Sequence, residues 1–216
     1  MADSDPRPVV FGATYSVYTR IARMALAEKG VDYRLEEIDI FAEDGPPDGY
    51  LDRHPFARIP AFQHGDVNLH ETAAICRYVD EAIDGPTLTP SDLATRALMA
   101  QTIGVLDSYA YRALVWDVFV EVVAKPQEGG ETDAALVDAG MKTAAIVTAI
   151  LDGQLKRSAY LAGDNVSLAD VHAWPIFDYF QRAPQGRDLI SGCGKLSAWT
   201  ATMAARDAAK ATAYPD

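Results

Sequence analysis

Residues 54–79 limit what this chain can become more than any other stretch. They read His54-Pro55-Phe56-Ala57-Arg58-Ile59-Pro60-Ala61-Phe62, then a turn, then Asn68-Leu69-His70-Glu71-Thr72-Ala73-Ala74-Ile75. Pro60 opens a short strand over 61–63, where its missing N–H is tolerated because it is the first residue. Gly65-Asp66 marks a tight turn, and Val67 and Leu69 alternate with polar neighbours as the returning hairpin strand. After Glu71-Thr72 the apolar period changes from two to about four, with Ile75, Val79 and Ile83 on one helical face. An acid and a hydroxyl therefore stand where a strand becomes the first turn of a helix, beside unpaired backbone N–H groups and the positive end of the dipole. By spacing alone the pair reads as a capped helix start. An X-Pro bond is cis in only about 5–6% of cases, so Ile59-Pro60 by itself proves no isomer.

The flanking sequence supplies the remaining elements. Val9-Val10-Phe11, ending at Gly12, reads as a buried strand. A turn over 13–16 leads to a helix with Val17, Ile21, Met24 and Ala25 on one stripe and Gly30 as its stop. Tyr33, Leu35, Ile38 and Ile40 read as a second strand, parallel to the first. A loop over 41–48 contains Gly45-Pro46-Pro47, and 50–54 makes one short helical turn. The order over the first eighty residues is β-α-β-(α)-β-β-α, that of a thioredoxin-like domain.

Two prolines and a glycine in 84–90 mark a linker. The expected fold is α/β plus all-α: a thioredoxin-like domain over 1–83, the linker, and a helical bundle over 91–216. Ser91 can cap a long helix to about Val123, and 126–130 forms a loop. Residues 131–155 carry apolar positions at three-four spacing. Ser167 with Asp170 forms a capping box, with Val166 and Val171 as its staple. Pro175 is expected to kink the next helix, and a last helix spans 195–210.

Composition sets limits. At 216 residues with 49% hydrophobic content, the chain can bury a core in one large or two small domains. No apolar run is read as reaching the ~20 residues of a membrane span. Residues 1–8 are polar, carry no signal pattern and are expected to be a short disordered tail. The net charge of −12 argues against nucleic acid as a partner. Two distant cysteines, Cys76 and Cys193, fit a reducing cytoplasm and form no metal-ligand cluster. His64 and His172 have no metal spacing around them, so no metal is expected.

Four motifs now stand in order: the strand ending at Gly12 with Tyr15-Ser16 before a helix; Pro55-Phe56-Ala57-Arg58-Ile59-Pro60; Glu71-Thr72-Ala73-Ala74-Ile75; and Tyr160-Leu161-Ala162-Gly163 with Ser167-Leu168-Ala169-Asp170. Together they resemble the cytosolic glutathione S-transferases over nearly the whole chain. The N-terminal half is most similar to the serine-type branches, the phi class of plants and related bacterial enzymes. The resemblance implies a cis Ile59-Pro60 bond, with the Ile59 backbone on the cysteinyl part of glutathione. It implies that Glu71 and Thr72 hold the γ-glutamyl carboxylate, which suits an anion at a helix N-terminus. Arg58, Ile59, Pro60, Glu71 and Thr72 are thus the expected glutathione contacts. It also implies a homodimer with Phe56 plugged into the partner.

The chemistry needs a thiolate. Lowering a thiol from about 8.5 by two units asks for roughly 2.7 kcal/mol. A hydroxyl donor and a helix N-terminus can supply it, and the family position assigns this to Ser16. The residues alone leave Ser16 equally a helix cap, with Thr14, Tyr15 and Tyr18 as rival hydroxyls. The absence of cysteine in this turn argues against glutaredoxin-like exchange. One departure stands out: the related branch has a His-Lys pair for the glycyl carboxylate where this chain has Gly45-Pro46 beside Glu43 and Asp44. Arg58, Arg53 or His54 are candidate substitutes, and Arg53 reads as ordinary solvated charge. Tyr15, Tyr109, Arg112 and Trp116, near Tyr111, suggest as a group a site for an apolar electrophile between the domains, although any one aromatic taken singly reads first as core packing. The expected function is glutathione conjugation to small hydrophobic electrophiles. Alternatives are a non-catalytic binding protein of the same fold, or glutathione-dependent isomerase or peroxidase chemistry.

Overall fold

The computed structural model describes residues 6–43 and 45–214. Of the expected N-terminal tail, residues 1–5 lie outside the described residues, as does Asp44. Sheet pairing already begins at Pro8, whose carbonyl accepts from Arg34 N at 2.8 Å. The chain divides between Thr87 and Leu88 into two compact units.

The first unit contains, among the described residues, a four-stranded sheet in the order β2-β1-β3-β4. The strands are β1 (Val9–Phe11), β2 (Arg34–Glu36), β3 (Ala61–His64) and β4 (Val67–His70). β1 runs parallel to β2 and antiparallel to β3, and β3 and β4 form the hairpin. Side chains alternate across the strands. Val9, Phe11 and Ala61 join Ala13, Ile38, Tyr50 and Ile59 in one buried cluster, while Val10 and Phe62 are buried from the opposite face. Helix α1 (Val17–Glu28) packs on α2 (Thr72–Ala82) through fully buried Ile21, Met24, Leu26, Ile75 and Val79. Gly12 is needed where β1 exits, because a Cβ there would overlap Thr19 Oγ1 of α1. Strand β2 is shorter than its apolar alternation predicts. Ile38 leaves the ladder after its N–H reaches Gly12 O at 3.4 Å, and is buried in the cluster instead.

In the second unit the long helix begins one residue later than expected. Asp92, not Ser91, accepts from Thr95 N at 2.8 Å. It passes from Leu93–Val105 into a π-wound stretch, Leu106–Ala124, where Lys125 N–H reaches Val120 O, five residues back. Asp133 caps the helix Ala134–Leu155. By length and composition alone this helix could cross a membrane, which corrects the expectation of no such run. Here it lies along the π-wound stretch, and Gly140 makes the close approach. The reading missed a helix at Pro184–Ser191, although Pro184 stands at its first turn, where a proline is pre-organised.

The capping box at Ser167 forms at the start of the helix Leu168–Phe180, which runs on through Pro175. Asp170 does more than cap. One carboxylate oxygen accepts from Ser167 N (2.9 Å) and Ser167 Oγ (2.7 Å), the other from Leu161 N (3.0 Å) and Trp199 Nε1 (2.8 Å). Burial pushes this carboxyl up, against the four donors that favour its anion. One turn on, the buried His172 donates from Nδ1 to Leu168 O at 3.1 Å. Burial pushes its imidazole down to about 4.

The C-terminus corrects two expectations, a single helix over 195–210 and a helical domain reaching 216. The helix Gly194–Ala205 ends where Arg206 adopts extended backbone (ψ 142°), and the short helix Asp207–Ala211 belongs to the first unit. The cause lies in α1, which carries the fully buried Arg20. Its Nε donates to Thr212 O at 2.7 Å, and Arg23 Nη2 donates to Ala211 O at 3.3 Å.

Two outcomes test this packing. Gly140→Ala would put a Cβ 2.8 Å from Ala113 O and 2.9 Å from Asp117 Cβ, and is expected to destabilise by about 1–3 kcal/mol; an unchanged thermal midpoint would refute the close crossing. The depressed His172 value means that the unfolded chain takes up this proton first as pH falls. Stability is therefore lost between pH 6.5 and about 4, by up to about 3 kcal/mol. Denaturant titrations should show this part of the slope missing in His172→Asn; parallel slopes for both proteins would reject the assignment.

Candidate active site

The strand registers bring the candidate residues of the first unit together. Glu36 pairs with Phe11, Phe11 with Ala61, and Ala61 with His70, so one row crosses all four strands. That row is the last one at this end of the sheet. Immediately beyond it stand Glu37, Gly12, Pro60 and Glu71 in spatial order. The turn from Gly12 leads to Ser16, and Pro60 is preceded by Ile59.

Ser16 is the N-cap of α1, with its Oγ 3.3 Å from Thr19 N as acceptor. This use consumes a lone pair and leaves the hydroxyl proton available to a second acceptor. Cap and donor are therefore not exclusive roles. Of the rival hydroxyls, that of Tyr15 is already engaged. Tyr15 Oη donates to Asp39 Oδ1 at 3.2 Å. Burial first, then the Asp39 charge and hydrogen bond, then Glu37, push this phenol up to about 12. Thr14 N donates to Glu37 Oε1 at 3.0 Å, and Tyr18 is half-buried within α1.

The Ile59-Pro60 bond is cis. Ile59 precedes β3 and lies past the last rung, so its backbone belongs to neither ladder. Tyr50 Oη fixes the approach to it by donating to Arg58 O at 2.7 Å. Glu71 is the N-cap of α2, with φ 68° and ψ 112°, and its side chain makes no cap hydrogen bond. The pair does start the helix, with Glu71 at the cap position, but the Glu71 side chain is left free of the cap. Its carboxylate is exposed, Thr72 behind it is buried, and Ala73 and Ala74 leave the first turn of α2 open to solvent.

Two of the expected substitutes for a basic pair make other contacts. Arg53 is not solvated charge: its Cζ lies 4.0 Å from the Phe11 ring centroid and its Nη1 donates to Gln63 Oε1 at 3.0 Å. His54 is buried with its ring 4.9 Å from that of His70. Desolvation, then the neighbouring His70, push its imidazole down. Arg58 is exposed. Sequence reasoning missed Tyr50, Glu37 and Asp39 as positioning residues, because their partners are set by tertiary contact rather than by spacing.

In the second unit Tyr109 is 62% and Trp116 38% exposed, so neither is core packing. The Arg112 guanidinium is held by Asp117 at 2.7 Å. A cleft of about 310 Å³, lined by Leu155, Lys156, Lys195 and Trp199 among others, lies wholly in this unit and holds none of the candidate residues. Among the described residues, no three His, Cys, Asp or Glu side chains gather as a metal site.

Two family models match the chain: the glutathione S-transferase N-terminal domain over residues 15–82 and the glutathione S-transferase C-terminal domain over 110–207. A glutathione S-transferase of Hyoscyamus muticus is 32% identical over 192 residues, 88% of this chain and 90% of that one. Glutathione S-transferase F7 of Arabidopsis thaliana is 29% identical over 202 residues, covering 93% and 96%. Among solved structures, glutathione S-transferase I from maize in complex with an atrazine glutathione conjugate superposes with a TM-score of 0.83 at 27% identity, over 95% of this chain and 96% of that one. With sequence motifs, strand-end geometry and both family domains in agreement, this chain belongs to the glutathione S-transferase family.

Proposed function

We propose that this chain is a glutathione transferase that conjugates reduced glutathione to small hydrophobic electrophiles, with Ser16 stabilising the glutathione thiolate as in the serine-type branch. The observation that supports the reading is the common row of strand ends, beyond which Glu71 and Pro60, preceded by Ile59, neighbour Gly12 at the start of the turn to Ser16. The γ-glutamyl end of glutathione bears an ammonium and a carboxylate. The exposed Glu71 carboxylate suits the ammonium, and the N–H groups and dipole of α2 at Thr72 suit the carboxylate. The cysteinyl backbone lies along Ile59, off the ladder and before Pro60, as an added strand would. Its sulfur then points to the N-terminus of α1.

The thiol proton leaves to solvent. The sulfur anion is held by the Ser16 hydroxyl and the dipole of α1, then attacks the electrophilic carbon to form a C–S bond as the leaving group departs with its electron pair. Tyr15, with its phenol turned to Asp39, is assigned to the electrophile's surroundings rather than to the sulfur. In the second unit, Tyr109, Arg112 and Trp116 are assigned as electrophile contacts, since two of them present exposed aromatic surface. The proposed assembly is a cytoplasmic homodimer. Phe56 is 70% exposed, as a residue covered by a second copy would be, and both cysteines are free thiols.

A hydrogen bond to a charged acceptor contributes about 1.5–3 kcal/mol, so Ser16→Ala should lower kcat/KM for an aromatic halide by about 10- to 100-fold. The acid limb of the pH–rate profile should move to higher pH, and Ser16→Thr should restore most of both. Activity unmoved in Ser16→Ala would transfer the role to another hydroxyl. Binding without turnover in the native chain would instead favour a non-catalytic binding protein.

Glu71→Gln is expected to weaken glutathione binding by about tenfold or more, read by calorimetry, while kcat at saturating glutathione changes little. Unchanged affinity would reject the γ-glutamyl assignment.

A further inference from the structure

Three of the four strand ends are used by the proposed function, and the fourth points to the identity of the thiol. The γ-glutamyl end sits at β4 and α2, the cysteinyl backbone at the start of β3, and the sulfur at the end of β1. The sheet order is β2-β1-β3-β4, so the third residue of the peptide continues toward the end of β2 and the chain that follows it. Strands lie about 4.8 Å apart, which makes the span from β4 to β2 roughly 14 Å. A tripeptide extended through its γ-linkage covers a comparable length.

The end of β2 is strongly acidic. Between residues 35 and 52 there are seven acidic residues and no basic one. Two of the carboxylates are fixed against the turn that leads to Ser16: Glu37 Oε1 holds Thr14 N at 3.0 Å, and Asp39 Oδ1 holds Tyr15 Oη at 3.2 Å and Phe41 N at 2.8 Å. Two of the surrounding cations are engaged. Arg34 Nε is 2.8 Å from Glu36, and Arg53 is stacked on Phe11 and bonded to Gln63. The Arg58 charge acts on His54, on the β4 side. The upward shift of Tyr15 reports the negative field of Asp39 and Glu37 as well as burial.

We infer that the preferred thiol of this chain is a γ-glutamyl-cysteinyl peptide whose C-terminal end is neutral or cationic, an amide or an amine-bearing amide, and that Glu37 and Asp39 set this preference. Glutathione itself is turned over, against the repulsion of its glycyl carboxylate. The inference rests on the assignment of Ser16, Ile59 and Glu71 to the same peptide.

The experiment compares kcat/KM for three thiols with one aromatic halide: glutathione, its glycinamide, and its N-(2-aminoethyl)amide, which carries a positive charge. Each step should improve kcat/KM by about threefold or more, mostly through KM, because a unit charge is changed at the end of the sheet that carries these two carboxylates. The double variant Glu37→Gln, Asp39→Asn keeps acceptor oxygens for Thr14, Tyr15 and Phe41 and should flatten the series. A native preference for glutathione over the amides overturns this inference while leaving the proposed function intact. A series unmoved by the double variant overturns the role of Glu37 and Asp39. If none of the three thiols binds, the proposed function fails, and this inference with it.

Discussion

The site depends on one constraint: all four strands reach the same end of the sheet in the same row. The row Glu36, Phe11, Ala61, His70 is fixed by main-chain pairing. The residues that follow it each leave the ladder for a physical reason. Pro60 has no N–H to continue it. Gly12 lies so close to Thr19 that no side chain fits. Glu71 turns through positive φ to begin α2, and the chain after Glu36 folds in so that Ile38 is buried. A peptide-sized line of polar groups is left at the open end, held by the rigidity of the sheet rather than by loops.

Ser16 has a structural place that is compatible with the chemistry proposed for it. Its oxygen terminates α1 by accepting from Thr19 N, and the same placement puts its proton at the positive end of the helix. The carboxylates of Glu37 and Asp39 work against an anion in this turn, yet they also lock the backbone of Thr14 and the phenol of Tyr15. The site thus balances an anion-favouring helix terminus against an anion-disfavouring wall. That balance decides which end of a substrate each part of the row can accept.

The two units are secured differently. In the first, the helix that carries Ser16 is braced from behind by the last turns of the chain, through buried Arg20 and the carbonyl of Thr212. In the second, a single buried carboxylate, Asp170, joins a helix start, a turn at Leu161 and Trp199. A buried charge is tolerable only when donors surround it, and here four do. The capping box was legible from Ser167 and Asp170, three residues apart; the bonds to Leu161 and Trp199 were not.

The sequence by itself determined the elements and their order, because periodicity, proline, glycine and caps act over a few residues. It marked Ser16, Ile59-Pro60 and Glu71-Thr72, each at the boundary of an element where such residue types have a local reason to stand. It left Arg53 as solvated charge, and it carried the helical domain to the end of the chain. Tertiary structure decided these points. Tyr15 meets Asp39 across 24 residues and Arg20 meets Thr212 across 192, and no local pattern encodes such pairings. Both join groups that only the fold brings within reach, and for the buried Arg20 the loss of water leaves the Thr212 carbonyl as its partner.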